Sequence, residues 1–533
     1  MSADTAVPTG GTAPMDRRQV VRALSGLLMV LFVAMISTTI VAVALPQIIG
    51  SLNGTQAQYT WVVTALLLTS TASTPVWGKL ADLFDKKLLI QIALVIFTVS
   101  SLACGFAQTT EQLIAFRAAQ GLGMGALQVL VQVVIGVMTT PRERGRYHGY
   151  IGVMMAVATV SGPLLGGLLT DVSWLGWRWC FFSAVPFTVV ALVLLSRTLH
   201  LVSERREDAR VDYAGATLIA AGVSTLLLWV TFVGNTFPWL SWQTAAMTGG
   251  GVLTLVAAVW VESRVREPVI PLHIVTRRNS ALAILASLAV GVGMFGGVVF
   301  LGQYFQVGRG HSPTEAGLLT TPMMLGVMVF STLAGHLASR TGKVKALVVT
   351  GSVILTGGFL WLSTIDHATS LLEISAAMVL TGMGIGLSLQ NLVLVVQNSV
   401  PLRELGAASG AITFFRSLGG TIGVSVLGAV LAAHVNAEIA RGYAAAGVAP
   451  TGEQSSNLNL EALPGTALAV VRTAYADVTG TIFLVAAAVA VVGVLATLLL
   501  RPITLRDTID LPAGEKPGRP AERTAGAVAP GAR

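Results

Sequence analysis

The sequence predicts an all-α polytopic membrane protein, and three observations carry that expectation. Of its 533 residues, 54% are hydrophobic and only 11% are charged, whereas about a quarter of the residues of a soluble domain are charged. Fourteen apolar runs can be counted, each able to supply the roughly 20 residues with which a helix crosses a bilayer. Glycines and basic residues also recur at fixed spacing between the first six runs and the last six, which divides the chain into two six-helix halves plus two additional central spans.

In order, the spans are expected at 22–46, 59–80, 88–106, 111–138, 148–170, 178–199, 213–233, 243–261, 281–305, 316–338, 346–364, 371–399, 406–434 and 479–500. Residues 1–21 are polar and are read as a cytoplasmic N-terminus; the first span is long and lacks a convincing cleavage site, which reads as an uncleaved signal anchor. An even number of spans puts both termini on one side. Of the 33 Lys and Arg, all but six then fall on that side: Arg178, Arg309, Arg441 and Arg472 lie on the other, and Arg117 and Arg416 lie within spans. That asymmetry predicts cytoplasmic termini in the plasma membrane.

The first half occupies 22–199, a linker with spans 7 and 8 occupies 200–261, and the second half occupies 281–500. Within the second half an outside loop is expected at 435–478, polar from Gly452 to Asn459 and more helix-like from Leu460 to Val478. Residues 501–533 are rich in Pro, Gly, Ala and Arg and are read as a disordered cytoplasmic tail.

Several function classes are disfavoured by the same residues. The net charge of +8 is scattered beside span ends, where it sets topology, so nucleic acid is not an expected partner. Cys104 and Cys180 lack a metal-binding spacing, and no phosphate-binding glycine loop is present. Neither metal nor cofactor is expected. Catalytic clusters of His with carboxylates are missing too, so an enzyme is not expected; the partners are a small substrate, protons and lipid, and the chain is read as a monomer.

The duplication is legible residue by residue. Gly78-Lys-Leu-Ala-Asp-Leu-Phe-Asp-Lys-Lys87 after span 2 is echoed by Gly335-His-Leu-Ala-Ser-Arg-Thr-Gly-Lys343 after span 10. At a constant offset of 261, Gly121, Gly123 and Gly125 map onto Gly382, Gly384 and Gly386, and Glu143, Gly145, Gly149, Gly162 and Gly167 map onto Glu404, Gly406, Gly410, Gly423 and Gly428. Glycines at fixed spacing let helix backbones approach closely, and two similar halves place a cavity at their interface near the midplane. This pattern predicts a transporter.

Three motifs locate candidate functional residues. Gly78, Asp82, Lys86 and Lys87 sit at the cytoplasmic mouth of spans 2 and 3; there Asp82 can accept from N–H groups at a neighbouring helix N-terminus or pair with a base, forming a latch that holds one access state. Span 4 carries Arg117-Ala-Ala-Gln-Gly-Leu-Gly-Met-Gly125. Arg117 lies about 9 Å inward from Glu111, and a guanidinium in that position costs about 2.5–3.5 kcal/mol on insertion scales, so it needs a cavity or an anionic partner. Span 5 ends Ser161-Gly-Pro-Leu-Leu-Gly-Gly167, in which Pro163 removes a helix hydrogen bond and Gly162, Gly166 and Gly167 permit a tight, bendable crossing.

The first motif resembles the G-x3-D-(R/K)-x-G-R-(R/K) signature of the major facilitator superfamily, with Leu83 and Asp85 standing where that pattern has a base and a glycine. The second is similar to that superfamily's R-x2-Q-G-x-G-x-(G/A) pattern, and the third to the G-P-x2-G-G motif of exporting antiporters. Trp177–Phe181 with Pro186, Asp212–Gly215, Ser312–Gly317 and Gly406–Gly410 with Arg416, Gly419 and Gly420 are similar to the fourteen-span drug:proton antiporter subfamily. The resemblance covers about residues 20–500 and implies a major facilitator fold and proton-coupled export of small hydrophobic compounds, such as drugs, antibiotics or natural products.

One departure stands out. That subfamily reads L-D-x-T-I-V-N-V-A-L-P in span 1, whereas Ser37 replaces the acid here and Ala42 the Asn, so the proton-carrying acid of span 1 cannot be transferred. No carboxylate lies near the middle of any expected span. The proton-coupling candidates are therefore peripheral: Glu111, Glu373 and Asp477. Because the deep charges are both cations, the cavity should favour neutral, zwitterionic or anionic molecules. Ser37, Arg117, Gln120, Gln128, Gln390, Asn391, Gln397 and Arg416 are the candidate cavity residues, since an amide facing lipid would be unsatisfied. Gln132, Gln303 and Gln306 share that argument, and for each amide a plain helix-to-helix bond remains an equal reading. Of seven histidines, only His336 falls inside an expected span. A nutrient importer and a non-transporting sensor remain the alternative functions.

Overall fold

The computed structural model describes residues 17–54, 56–171, 176–199, 212–233, 236–265, 267–446 and 465–507. Its first half comprises α1 (Arg17–Ser51), α2 (Gln56–Leu83), α3 (Lys86–Phe106), α4 (Thr110–Met138), α5 (Pro141–Asp171), the single turn α6 (Trp179–Phe182) and α7 (Ala184–Thr198). Two central helices follow, α8 (Tyr213–Phe232) and α9 (Trp242–Glu262), then the short α10 (Leu272–Thr276). The second half comprises α11 (Arg278–Gln303) with a π-turn at Tyr304–Gly308, the short α12 (Pro313–Leu319), α13 (Thr321–Thr341), α14 (Lys345–Leu362), α15 (Leu371–Gln397), α16 (Leu405–Ala446) and α17 (Gly465–Leu498).

Thirteen helices among the described residues are long and apolar enough to cross a membrane. The expected span not among them is the second, α2, which carries the hydroxyl run Thr69-Ser-Thr-Ala-Ser-Thr74 and Pro75. Three of its hydroxyls return hydrogen bonds to their own helix, Thr69 to the Ala65 carbonyl at 2.9 Å, Ser73 to that of Ser70 at 3.3 Å and Thr74 to that of Ser70 at 2.7 Å, which eases the cost of the polar stretch in lipid.

The helix pairings repeat between the halves. In the first, α1 packs on α5, α2 on α4, and α3 on α4; in the second, α11 packs on α16, α13 on α15, and α14 on α15. The halves meet where α5 crosses α13 and where α2 crosses α16. Helices α8 and α9 pair with each other, and Ile219, Val223 and Leu227 of α8 share an apolar cluster with Phe414 of α16 and Leu68 and Val76 of α2. The two central helices thus flank the α2/α16 seam. The outward side of α9 is apolar and exposed at Leu253, Val256 and Trp260, as lipid requires.

Two expectations about the ends are corrected. Residues 435–446, expected in a loop, continue α16, and the helix-like second part of that loop is helical at 465–478 as the start of α17, while 447–464 lie outside the described residues. Apolar content alone marks where a helix lies in lipid, not where its backbone hydrogen bonds stop. The C-terminal stretch 501–507 is also not a free tail: Leu505 is buried and donates from its N–H to the Gly342 carbonyl at 2.9 Å, and the Arg506 N–H donates to Asn398 Oδ1 at 3.2 Å. Residues 508–533, and 1–16 at the other end, lie outside the described residues.

Candidate functional site

The interface between the halves is closed at the face where α1 begins, and closure is built on glycine. A Cβ on Gly78 of α2 would lie 2.6 Å from the Gly406 carbonyl oxygen and 3.0 Å from the Gly410 Cα of α16. Gly335 of α13 meets Gly145 and Gly149 of α5 in the same way, its Cβ position colliding with the Gly145 carbonyl. These are the residues that the duplication maps onto each other, so the two seams are one contact made twice. Inside each half the register repeats again, with Gly121 against Leu66 and Gly382 against Met323.

Asp82 fastens the first seam. It stands one turn beyond Gly78, and its Oδ1 and Oδ2 accept from the Gly406 and Ala407 N–H groups at 2.7 and 2.8 Å. These are orphan donors in the first turn of α16, where the helix dipole also favours a carboxylate. The corresponding residue of α13 is Ser339, whose carbonyl oxygen instead accepts from Arg142 Nε of α5 at 2.9 Å, while Arg142 Nη2 donates to the Arg340 carbonyl at 3.1 Å. One seam is held by an acid on a helix N-terminus and the other by a base on a helix C-terminus.

The neighbouring basic residues have other duties. Lys87 Nζ donates to the Ser196 carbonyl at 2.8 Å, beside the end of α7, and Lys86 opens α3. The two departures from the family signature are accounted for locally. Leu83 is buried, and Asp85 caps α3 by accepting from the Leu88 N–H at 2.9 Å. A pair missed in the sequence, Lys79 Nζ with Glu267 Oε2 at 2.5 Å, ties α2 to the segment after α9.

Deeper in the first half, Gln120 is a hub. It accepts from Arg117 Nη1 at 2.8 Å and donates to Ser101 Oγ at 2.7 Å, with Ser37 Oγ at 3.5 Å. Arg117 Nε also reaches the Val62 carbonyl at 3.4 Å. Ser37, only 2% exposed, is thereby brought together with Arg117 and Gln120 inside the half. Gln128 is half-buried on the same helix. In the second half Asn391 bonds back to the Leu387 carbonyl at 2.7 Å, Gln397 Nε2 donates to Ser409 Oγ at 2.9 Å, and the Gln390 Oε1 is buried without a partner.

The peripheral acids lie at the opposite face. Glu111 and Glu373 occupy the first turns of α4 and α15, both exposed. Gln58 Nε2 donates to Glu111 at 2.5 Å and Trp361 Nε1 to Glu373 at 3.5 Å. Asp477 of α17 accepts from the His367 N–H at 3.0 Å and faces its Nδ1 at 2.9 Å, pinning the loop after α14. In that loop, hydrogen bonds headed by the Thr369 hydroxyl hold the Asp366 carboxyl below its usual 3.8. In α5, Gly162 packs against Thr39 of α1 where a Cβ would collide, and Gly166 is buried; the surroundings of Pro163 and Gly167 lie outside the described residues.

His148 was not legible as a site residue, since the span was expected to begin there. The helix begins at Pro141 instead, and the imidazole is fully buried two turns inside, with neither ring nitrogen in hydrogen-bonding geometry. The Gln390 backbone lies beside it, and the charges that act on it are Arg144 and Arg416.

Comparison with known proteins agrees with this architecture. The sequence model of the Major Facilitator Superfamily matches residues 27–424. The multidrug transporter protein MdtP of Bacillus subtilis is 35% identical over 408 residues, which cover 76% of this chain and 74% of that protein. The efflux pump FUS6 of Gibberella fujikuroi is 31% identical, covering 76% and 74%. Among solved structures, the human organic anion transporter MFSD10 superposes with TM-score 0.60 at 14% identity over 88% of this chain and 99% of that one, and the proton:xylose symporter XylE with 0.58 at 14% over 89% and 95%. With a family match over most of its length and the same paired six-helix halves, the chain belongs to the major facilitator superfamily, a family of multi-pass membrane transporters and not of enzymes.

Proposed function

We propose that this transporter exports small hydrophobic compounds from the cytoplasm in exchange for protons, working as a monomer in the plasma membrane with both termini cytoplasmic. The observation that carries this reading is the double seam: two halves joined at one face by the Gly78/Gly406 and Gly335/Gly145 crossings, with the Asp82 latch across one of them. Such contacts are short-ranged and breakable, which suits rocking between two access states. The direction of transport is supported by the Gly162–Gly167 motif and by relatives named as a multidrug transporter and an efflux pump. The substrates are neutral, zwitterionic or anionic in preference to lipophilic cations, since the buried charges Arg117 and Arg416 are positive.

The test is flux in vesicles of defined protein orientation, with a pH gradient imposed and a panel of hydrophobic compounds graded by charge. Export driven by the gradient, and abolished when the gradient is collapsed, is the expected result. Accumulation in the opposite direction would make the chain an importer, and binding without flux a sensor. Glu111→Gln, Glu373→Gln and Asp477→Asn are then compared. Loss of gradient-driven flux with retained substrate exchange assigns the proton to that residue, and retained coupling in all three removes them as carriers.

A further inference from the structure

Three arginines are buried in the bundle, and their partners differ. Arg117 donates to Gln120 Oε1 and to the Val62 carbonyl. Arg144 caps the end of α4, with Nε on the Thr139 carbonyl at 3.1 Å and Nη2 on that of Gly136. Arg416 makes no hydrogen bond or ion pair to any described residue, although it is only 7% exposed and its Nη1 is fully enclosed. A guanidinium stays charged under all ordinary conditions, so burial without acceptors costs several kcal/mol on the order-of-magnitude scale for desolvated ions. Arg416 is eleven residues into α16, about 16 Å from that helix's start and thus near the middle of a hydrocarbon layer about 30 Å thick.

Its surroundings are equally unfinished. His148 of α5 brings a fully buried imidazole from the first half, with the Gln390 backbone of α15 as its neighbour from the second. Arg144 and Arg416 are the charged groups facing the imidazole. The site therefore holds the Arg144 guanidinium and an imidazole from one half and the Arg416 guanidinium from the other, with no carboxylate among the described residues acting on the imidazole.

We propose that Arg416, with His148 of the facing half, is an anion-recognition point for substrate, taking the carboxylate, phenolate or sulfonate of a hydrophobic organic acid. The acid's charge pairs with the guanidinium, an N–H of the imidazole supplies a further hydrogen bond, and its apolar body lies along the interface between the halves. Drawing its donors from both halves, such a site is completed only when they close, which ties binding of the acid to the access state. This assignment rests on the reading of the chain as an exporter but concerns binding alone.

Binding is measured on the purified full-length protein without any gradient, so failure here leaves the export reading standing, and failure of gradient-driven flux leaves this result standing. The probes are 1-pyrenebutyrate and 1-pyrenebutylamine, which share a body and differ in charge. Saturable binding of the acid about tenfold or more tighter than the amine is expected, with Arg416→Gln removing that preference and Arg416→Lys retaining most of it. His148→Leu should weaken the acid by about threefold to tenfold while His148→Gln, which keeps an N–H donor, weakens it less. If Arg416→Gln does not fold, Arg416→Met serves, because an apolar side chain of similar length relieves the buried charge and should raise the melting temperature. Equal binding of acid and amine, or an acid preference that survives Arg416→Gln or Arg416→Met, overturns the proposal.

Discussion

Asp82 sets one carboxylate on two orphan N–H groups across the halves. Asparagine at this position keeps one acceptor oxygen and presents an NH2 where a second acceptor is needed, so one backbone donor is left unpaired and the charge–dipole attraction is lost. Asp82→Asn should weaken the closed seam by about 2 kcal/mol, which shifts the closed-to-open ratio roughly thirtyfold. The check is a cysteine at Ser409, buried on α16 between Gly406 and Gly410 beside the α2/α16 seam, in a chain whose two native thiols are replaced. Its labelling rate with a polar maleimide should rise in Asp82→Asn, and an unchanged rate would show that the acid does not hold the seam. The acid was open to sequence reasoning because Asp82 and Gly78 stand in one short motif, although its partner, the start of α16, lies more than 300 residues away. His148 was not, because only Arg144, one turn before it, stands at a helical spacing, while Gln390 and Arg416 come from two other helices.

Among the helices, the glycine register was legible for a physical reason: a close crossing tolerates nothing larger, so the residue is dictated twice, once in each half. Gly335→Val should therefore do to the α5/α13 seam what Gly78→Val does to the α2/α16 seam, each cutting transport by more than about tenfold by holding the halves apart while costing roughly 1–3 kcal/mol of packing. Gly382→Val, against Met323 within one half, should lower the melting temperature by a similar energy but leave the seams intact. Comparing flux with thermal stability across the three separates the classes, and equal losses of stability with equal flux would mean the seams are only packing. Helix ends were less legible. The extra turns of α16 and α17 carry Glu438, Arg441, Arg472 and Asp477, residues that end an apolar run without ending a helix, since backbone hydrogen bonds close within the segment whatever the side chains do.

For the molecule as a whole, two pseudo-equivalent seams have a consequence that one seam would not. If the halves rock as rigid bodies, α2/α16 and α5/α13 must part together, because each half contributes one helix to each seam. Fixing either should then arrest the whole cycle, including the side that is chemically untouched. Arg142→Cys with Ser339→Cys tests this at the seam that lacks the acid latch. Arg142 Nε lies 2.9 Å from the Ser339 carbonyl, which sets the two backbones about one arginine side chain apart, so a reducible bis-methanethiosulfonate crosslinker of that length, and not a direct disulfide, bridges the pair once both are cysteine. Bridging is expected to cut flux more than about tenfold and to slow labelling of a cysteine at Ser409, beside the other seam, with reduction restoring both. The unbridged double variant controls for loss of the Arg142 contact. Should labelling at Ser409 stay fast while the α5/α13 seam is bridged, the seams open independently and rigid-body rocking is not how this chain alternates access.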